Sequence, residues 1–125
     1  MPRKKKKQPD KLTYKIGDLI LDKKGYDINI LDVRGLTTLT DFFIVCSSDS
    51  GPQTKAIVEH IEDELKKEEV RPWHIEGKEQ LEWVLIDYIH IVVNVFNKEM
   101  REYYNIERLW SDAEITHVSS ELPYN

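Results

Sequence analysis

Apolar residues recur along this chain with two different periods, and the changes of period mark the elements. Leu12, Ile16, Leu19 and Ile20 stand at i, i+4, i+7 and i+8, one face of a helix, with Gly25 as its C-terminal glycine. Asp27 to Val33 is rich in β-branched residues and predicts a strand that Gly35 breaks. Phe42 to Cys46 is a continuous apolar run, the pattern of a strand covered on both faces.

A second helix has the clearest start. Ser50-Gly51-Pro52-Gln53 fits a capping box, with Ser50 as N-cap and Gln53 at the third helical position. Pro52 falls in the first turn, where its missing N–H has no intrahelical partner to lose. Thr54, Ile57, Val58, Ile61 and Leu65 then form one stripe. His74-Ile75-Glu76 predicts a short extended piece after Pro72, and Gly77-Lys78 a turn. Trp83 to Asp87 and Ile91 to Phe96 are β-rich runs joined by Tyr88-Ile89-His90, which suits an antiparallel hairpin. Met100, Tyr103 and Tyr104 give a short helical face, followed by Ile106 to Trp110. This order predicts an α/β (α+β) fold, one mixed sheet with helices packed on it.

The 125 residues hold one domain, and an apolar fraction of 40% with three tryptophans supports a packed core. Residues 1–11 read as a disordered basic arm, 12–113 as the folded domain, and 114–125 as a loose C-terminal tail without periodicity. No apolar run reaches the roughly 18 residues that span a bilayer, and no apolar segment follows the basic N-terminus as in a secretory signal. A lone Cys46 in a strand-like run suits a reducing cytoplasm, the expected location. Residues 1–15 carry +6 and the rest −11. An acidic body repels phosphate and favours a basic partner, whereas the arm is suited to salt-dependent contact with RNA.

Catalytic constellations are poorly supported. His60-Ile61-Glu62 and His74-Ile75-Glu76 each match H-x-E of a zinc deaminase, but one cysteine cannot supply the P-C-x-x-C half. Ser47-Ser48-Asp49-Ser50-Gly51 occupies the place of a nucleophile elbow without its first glycine, and Ser50 is better used as an N-cap. Asp87 stands alone on its strand, while Asp27 and Asp32 lie on opposite strand faces, so no paired carboxylates hold two metal ions. The unusual feature is Trp83 among Glu79, Glu82 and Asp87. Period-2 geometry puts Trp83, Leu85 and Asp87 on one sheet face, which serves either as an interface or as core beneath a helix.

Three blocks between Asp27 and Ala113 resemble the ribosomal silencing factor (Iojap-like) family. They are Thr38-Leu39-Thr40-Asp41-Phe42-Phe43-Ile44-Val45; Ser50, Gln53 and Ala56-Ile57; and a long third block. The third runs from Glu76-Gly77 through Glu82 to Tyr88 and Val92 to Phe96, then Arg101 to Tyr104 and Ile106 to Ala113. The chain departs from the family at Tyr88-Ile89-His90, where Tyr-Gly-Asp is usual, and at Asn94, where histidine is usual. Losing that glycine removes an easy positive-φ position from the hairpin turn.

The resemblance implies a nucleotidyltransferase-like fold without the catalytic residues. It further implies a non-enzymatic repressor of translation under nutrient limitation. Such a protein binds ribosomal protein fourteen of the large subunit and blocks joining of the small subunit. Neither cofactor, metal nor small-molecule substrate is expected. The expected docking residues are Trp83, Leu85, Asp87 and Tyr88, with Glu76, Arg101 and Tyr104 as neighbours; Arg101 and Tyr104 alternatively brace the sheet. Residues 1–15 are the expected contact to ribosomal RNA. A homodimer burying Trp83 and a nucleotide-handling enzyme on the inherited fold are the rival readings.

Overall fold

The structure is a computed structural model and describes residues 9–119. Helix α1 (Lys11–Asp22) is followed by strands β1 (Tyr26–Asp32) and β2 (Phe42–Ser48), then helix α2 (Gly51–Lys66). Strands β3 (His74–Glu76), β4 (Trp83–Asp87) and β5 (Ile91–Asn97) come next, then helices α3 (Lys98–Tyr104) and α4 (Ile106–Leu109) and strand β6 (Glu114–Val118). The six strands form one sheet in the order β3-β4-β5-β2-β1-β6. Only β2 and β5 run parallel, in register from Phe42 opposite Ile91 to Ser48 opposite Asn97; the other neighbours are antiparallel. The mixed sheet flanked by helices is the expected class.

Local chemistry sets the helix ends. Asp10 caps α1 by accepting the Thr13 N–H at 3.1 Å, so the helix begins inside the stretch assigned to the basic arm. Residues 1–8 of that arm lie outside the described residues. At the other end the left-handed residue is Lys24 (φ 68), not Gly25. The Gly25 N–H reaches the Ile20 carbonyl at 3.0 Å and the Lys24 N–H the Leu21 carbonyl at 2.9 Å, a Schellman ending. Gly25 is needed for space, because a Cβ there would sit 2.3 Å from Ile20 Cγ2. Ser50 Oγ accepts the Gln53 N–H at 3.2 Å as the capping box requires, while Gln53 Oε1 accepts the Asp49 N–H at 2.7 Å.

Both α1 and α2 cover one face of the sheet. Ile16, Ile20, Ile57, Ile61 and Leu65 pack there on Ile28, Ile30, Ile44, Ile86 and Val93. The opposite face carries a smaller cluster of Leu31, Val33, Val45, Phe96 and Ala113, partly covered by Met100, Ile106 and Trp110 from the α3–α4 segment. Strand β2 is therefore buried on both faces, as its apolar run predicts.

The expectation for the C-terminus fails. Residues 114–118 are not a loose tail but strand β6, paired with β1 from Asp32 opposite Glu114 to Ile28 opposite Val118. The Val118 methyls lie 3.1 Å from where a Cβ on Gly17 would stand. An edge strand exposed along much of its length lacks the apolar alternation that sequence reading needs. Residues 120–125 lie outside the described residues.

Cys46 is fully enclosed, and burial pushes its thiol up to about 12 against a smaller opposing pull from the Arg101 charge. A thiol-reactive dye at neutral pH is expected to label the native protein at a negligible rate and the unfolded chain fully. Rapid stoichiometric labelling of native protein would mean that β2 opens readily.

Candidate protein-binding site

Strand alternation divides β4 between the two faces. Val84 and Ile86 enter the core under α1 and α2, and Trp83, Leu85 and Asp87 point to the opposite, outer face. The β3–β4 register sets Glu76 beside Leu85 and His74 beside Asp87 on that same face. Gly77 makes the preceding turn at φ 90, where a Cβ would fall 2.0 Å from the Trp83 carbonyl oxygen. Tyr88 is not on this face. It is 5% exposed, packed in the helix-side core, and its hydroxyl has no hydrogen-bond partner among the described residues. Burial, then the nearby Glu62 charge, push that phenol further up.

At one end of the outer face Trp83 is half-buried. Its ring stacks on Phe96 with centroids 4.9 Å apart and meets Tyr104 at 4.8 Å. The indole Nε1–H donates to Asn94 Oδ1 at 3.0 Å. Asn94, itself buried, donates through Nδ2 to the carbonyls of Ile44 and Val92 at 3.4 Å each. Trp83 is thus oriented by a buried amide and by α3, with part of its ring still open to solvent.

Arg101 lies on α3 and has its side chain only 12% exposed. Its guanidinium donates to Glu107 Oε2 at 2.7 Å, to Ser47 Oγ at 2.8 Å and to the Asp27 carbonyl. Glu107 also accepts from Asn29 Nδ2 at 2.7 Å. Burial alone raises the Glu107 carboxyl, but the bonds from Arg101 and Asn29 outweigh it and hold the group below its ordinary value. Arg101 therefore ties α3 and α4 to the ends of β1 and β2.

No described residue covers the other end of the outer face. Leu39, Phe43, Trp73, Leu85, Ile89 and Val92, together with Thr40 and Asp87, line an open concavity of about 500 Å³. Its walls are apolar side chains in water: Leu39 is 84% exposed, Trp73 72% and Ile89 61%. Large apolar groups gathered in one exposed hollow are a feature shared by protein-contact surfaces and ligand grooves. The Trp73 N–H donates to the Asp87 carbonyl at 2.8 Å, which anchors the wall to β4. Glu76 and Asp87 supply acidic groups beside it. Of the sequence-expected residues, the structure gathers Leu85, Asp87 and Glu76 here, leaves Trp83 and Tyr104 at the neighbouring aromatic cluster, and withdraws Arg101 and Tyr88. Trp73 and Ile89 were not among the expected docking residues, because neither belongs to a periodic stripe.

Side chains weighed for catalysis have other partners. His60 Nε2 lies 3.0 Å from Asp22 Oδ2 and His74 Nε2 3.2 Å from Glu76 Oε1, each within its own surface pair. The Ser48 hydroxyl bonds that of Thr54. Asp49 accepts the Tyr26 hydroxyl at 2.5 Å, which pushes that phenol up to about 12. Asp32 is clasped by Arg34, with Nη2 at 2.7 Å from Oδ2. Among the described residues no three His, Cys, Asp or Glu side chains could hold a metal ion, and no helix is long and apolar enough to cross a membrane.

Comparison with known proteins places this architecture. Residues 6–124 match the family model described as "Ribosomal silencing factor during starvation". The chain is 38% identical over 97 residues to ribosomal silencing factor RsfS of Bacillus subtilis, covering 78% of this chain and 82% of that one. A crystal structure of a Chromobacterium violaceum protein superimposes with a TM-score of 0.78 at 34% identity, over 94% of this chain and 100% of that chain. A mouse relative, 27% identical over 110 residues, spans 82% of this chain and 48% of its own; it is named "Mitochondrial assembly of ribosomal large subunit protein 1". With nearly its whole length matched by the model, the chain belongs to the ribosomal silencing factor family.

Proposed function

We propose that the chain represses translation by docking on the large ribosomal subunit through ribosomal protein fourteen, on the face where the small subunit joins. A bound domain and the small subunit then compete for one surface, and no chemical step is required. The observation that carries this reading is the concavity with Leu39 and Trp73 standing open beside Leu85 and Asp87. It suits a partner with an apolar projection flanked by lysine or arginine. The acidic body favours such a basic partner through complementary charge at the rim. The name of the mouse relative points to the same subunit.

Residues 1–15 form a second contact in this reading, to ribosomal RNA. Asp10 Oδ2 lies 3.9 Å from His90 Nε2, so the basic segment joins the domain beside the hairpin that borders the concavity. The test is co-sedimentation with purified subunits. The protein is expected to pellet with large subunits and not with small ones. Removing residues 1–8 should leave pelleting intact at low salt and make its salt dependence shallower, by up to about 0.7–0.9 in log–log slope for each phosphate no longer neutralised. Equal pelleting with small subunits would overturn the proposal.

A further inference from the structure

The turn between β4 and β5 holds an isoleucine where the backbone favours glycine. Ile89 has φ 76, and the His90 N–H returns to the Tyr88 carbonyl at 3.0 Å, which makes the loop a γ-turn of the rare positive-φ type. A β-branched side chain at such a φ is an outlier, because its Cβ crowds the adjoining carbonyl. The surroundings enforce the geometry. Asp87 Oδ1 accepts the Ile89 N–H at 2.7 Å, and the Tyr88 N–H reaches the Ile91 carbonyl at 2.8 Å. The His90 carbonyl accepts the N–H groups of Asp41 and Phe42 at 3.0 and 3.1 Å.

All of these bonds use backbone atoms or Asp87, and a glycine or asparagine at position 89 would make every one of them. The isoleucine side chain adds little to the core, since Ile89 remains 61% exposed. The fold alone therefore favours a smaller residue here, and what the isoleucine supplies is a wall of the apolar concavity beside Leu39, Trp73 and Val92. Strain maintained at an exposed position by an over-determined loop is characteristic of contact sites.

We infer that Ile89 is a direct apolar contact for the partner, presented in a strained turn at the expense of fold stability. This rests on the docking reading above and adds to it a residue whose binding and folding roles have opposite signs. The rigid turn fixes the Ile89 backbone before the partner arrives, and its β-branched side chain has little χ1 freedom to lose on docking.

The experiment compares the full chain with Ile89→Gly and Ile89→Leu, measuring thermal melting and the Kd for purified large subunits by pelleting titration. Ile89→Gly is expected to melt about 3–6 °C higher through relief of strain and to bind roughly tenfold more weakly or worse. Ile89→Leu keeps an apolar wall and is expected to bind within about threefold of the parent. If Ile89→Gly binds as tightly as the parent, or melts no higher, the inference falls while the docking proposal stands. A parent chain that fails to pellet with large subunits overturns both.

Discussion

Replacing Leu85 by arginine is expected to abolish co-sedimentation with large subunits while leaving the fold intact. Leu85 is half-buried on the outer face, between Glu76 on β3 and Asn94 on β5. The fold tolerates the change because the long stem can lie along the sheet while the charge reaches water near Glu76. The interface cannot. Docking would remove an apolar contact and bring a cation against a basic partner under desolvation, a penalty of about 3–4 kcal/mol, or more than 100-fold in Kd. The measurement is pelleting at matched salt, with circular dichroism and melting as checks on folding. A folded Leu85→Arg variant that pellets like the parent would remove the concavity from the docking surface.

The second large effect concerns stability. Arg101→Ala leaves Glu107 in a mostly enclosed site with Asn29 as its remaining side-chain partner. Breaking a mostly buried pair in this way typically costs about 3 kcal/mol or more, and denaturant unfolding at pH 7 should register it as a lower midpoint. The pH dependence has a definite sign. Glu107 is held below its ordinary value in the folded parent, so the pair's contribution is complete above the unfolded carboxylate range, near about 4.3, and fades as pH falls through the lower folded value. In the variant burial acts unopposed by arginine, and protonation relieves the isolated charge. The stability gap between parent and variant should therefore be widest at neutral pH and narrow towards pH 4. A variant of unchanged stability that fails to pellet would instead make Arg101 part of the contact surface.

Local signals in the sequence carried most of the fold. Ser50 and Gln53 announce α2 because capping is satisfied within four residues, and Phe42 to Cys46 announces a doubly covered strand because burial on both faces leaves no polar position. Period-2 spacing also separates Trp83, Leu85 and Asp87 from Tyr88, and the structure makes that same division; Tyr88 was drawn into the docking set by family resemblance rather than by geometry. What local pattern could not reveal is assembly at a distance. Leu39, Trp73 and Ile89 stand in three separate connections and meet only because β2, β4 and β5 are neighbours. A tryptophan between Pro72 and His74 with no periodic companion, and an isoleucine at position 89 where the family's hairpin usually has glycine, were the hints available. β6 was missed because an exposed edge strand is specified mainly by its partner, β1.

The lone parallel ladder at the centre of the sheet also shapes how the chain reaches this state. The β4–β5 hairpin closes across three residues and is rewarded by local contacts, whereas β2 meets β5 only after α2, β3 and β4 have been looped between them. Entropy therefore favours two early halves, one around the hairpin and one around α1, β1 and β2, with docking along the β2–β5 seam as the late, slow event. The strained Ile89 turn lies in the first of these halves. Its cost is therefore carried within the hairpin itself, by the bonds to Asp87 and Ile91 that hold the turn closed.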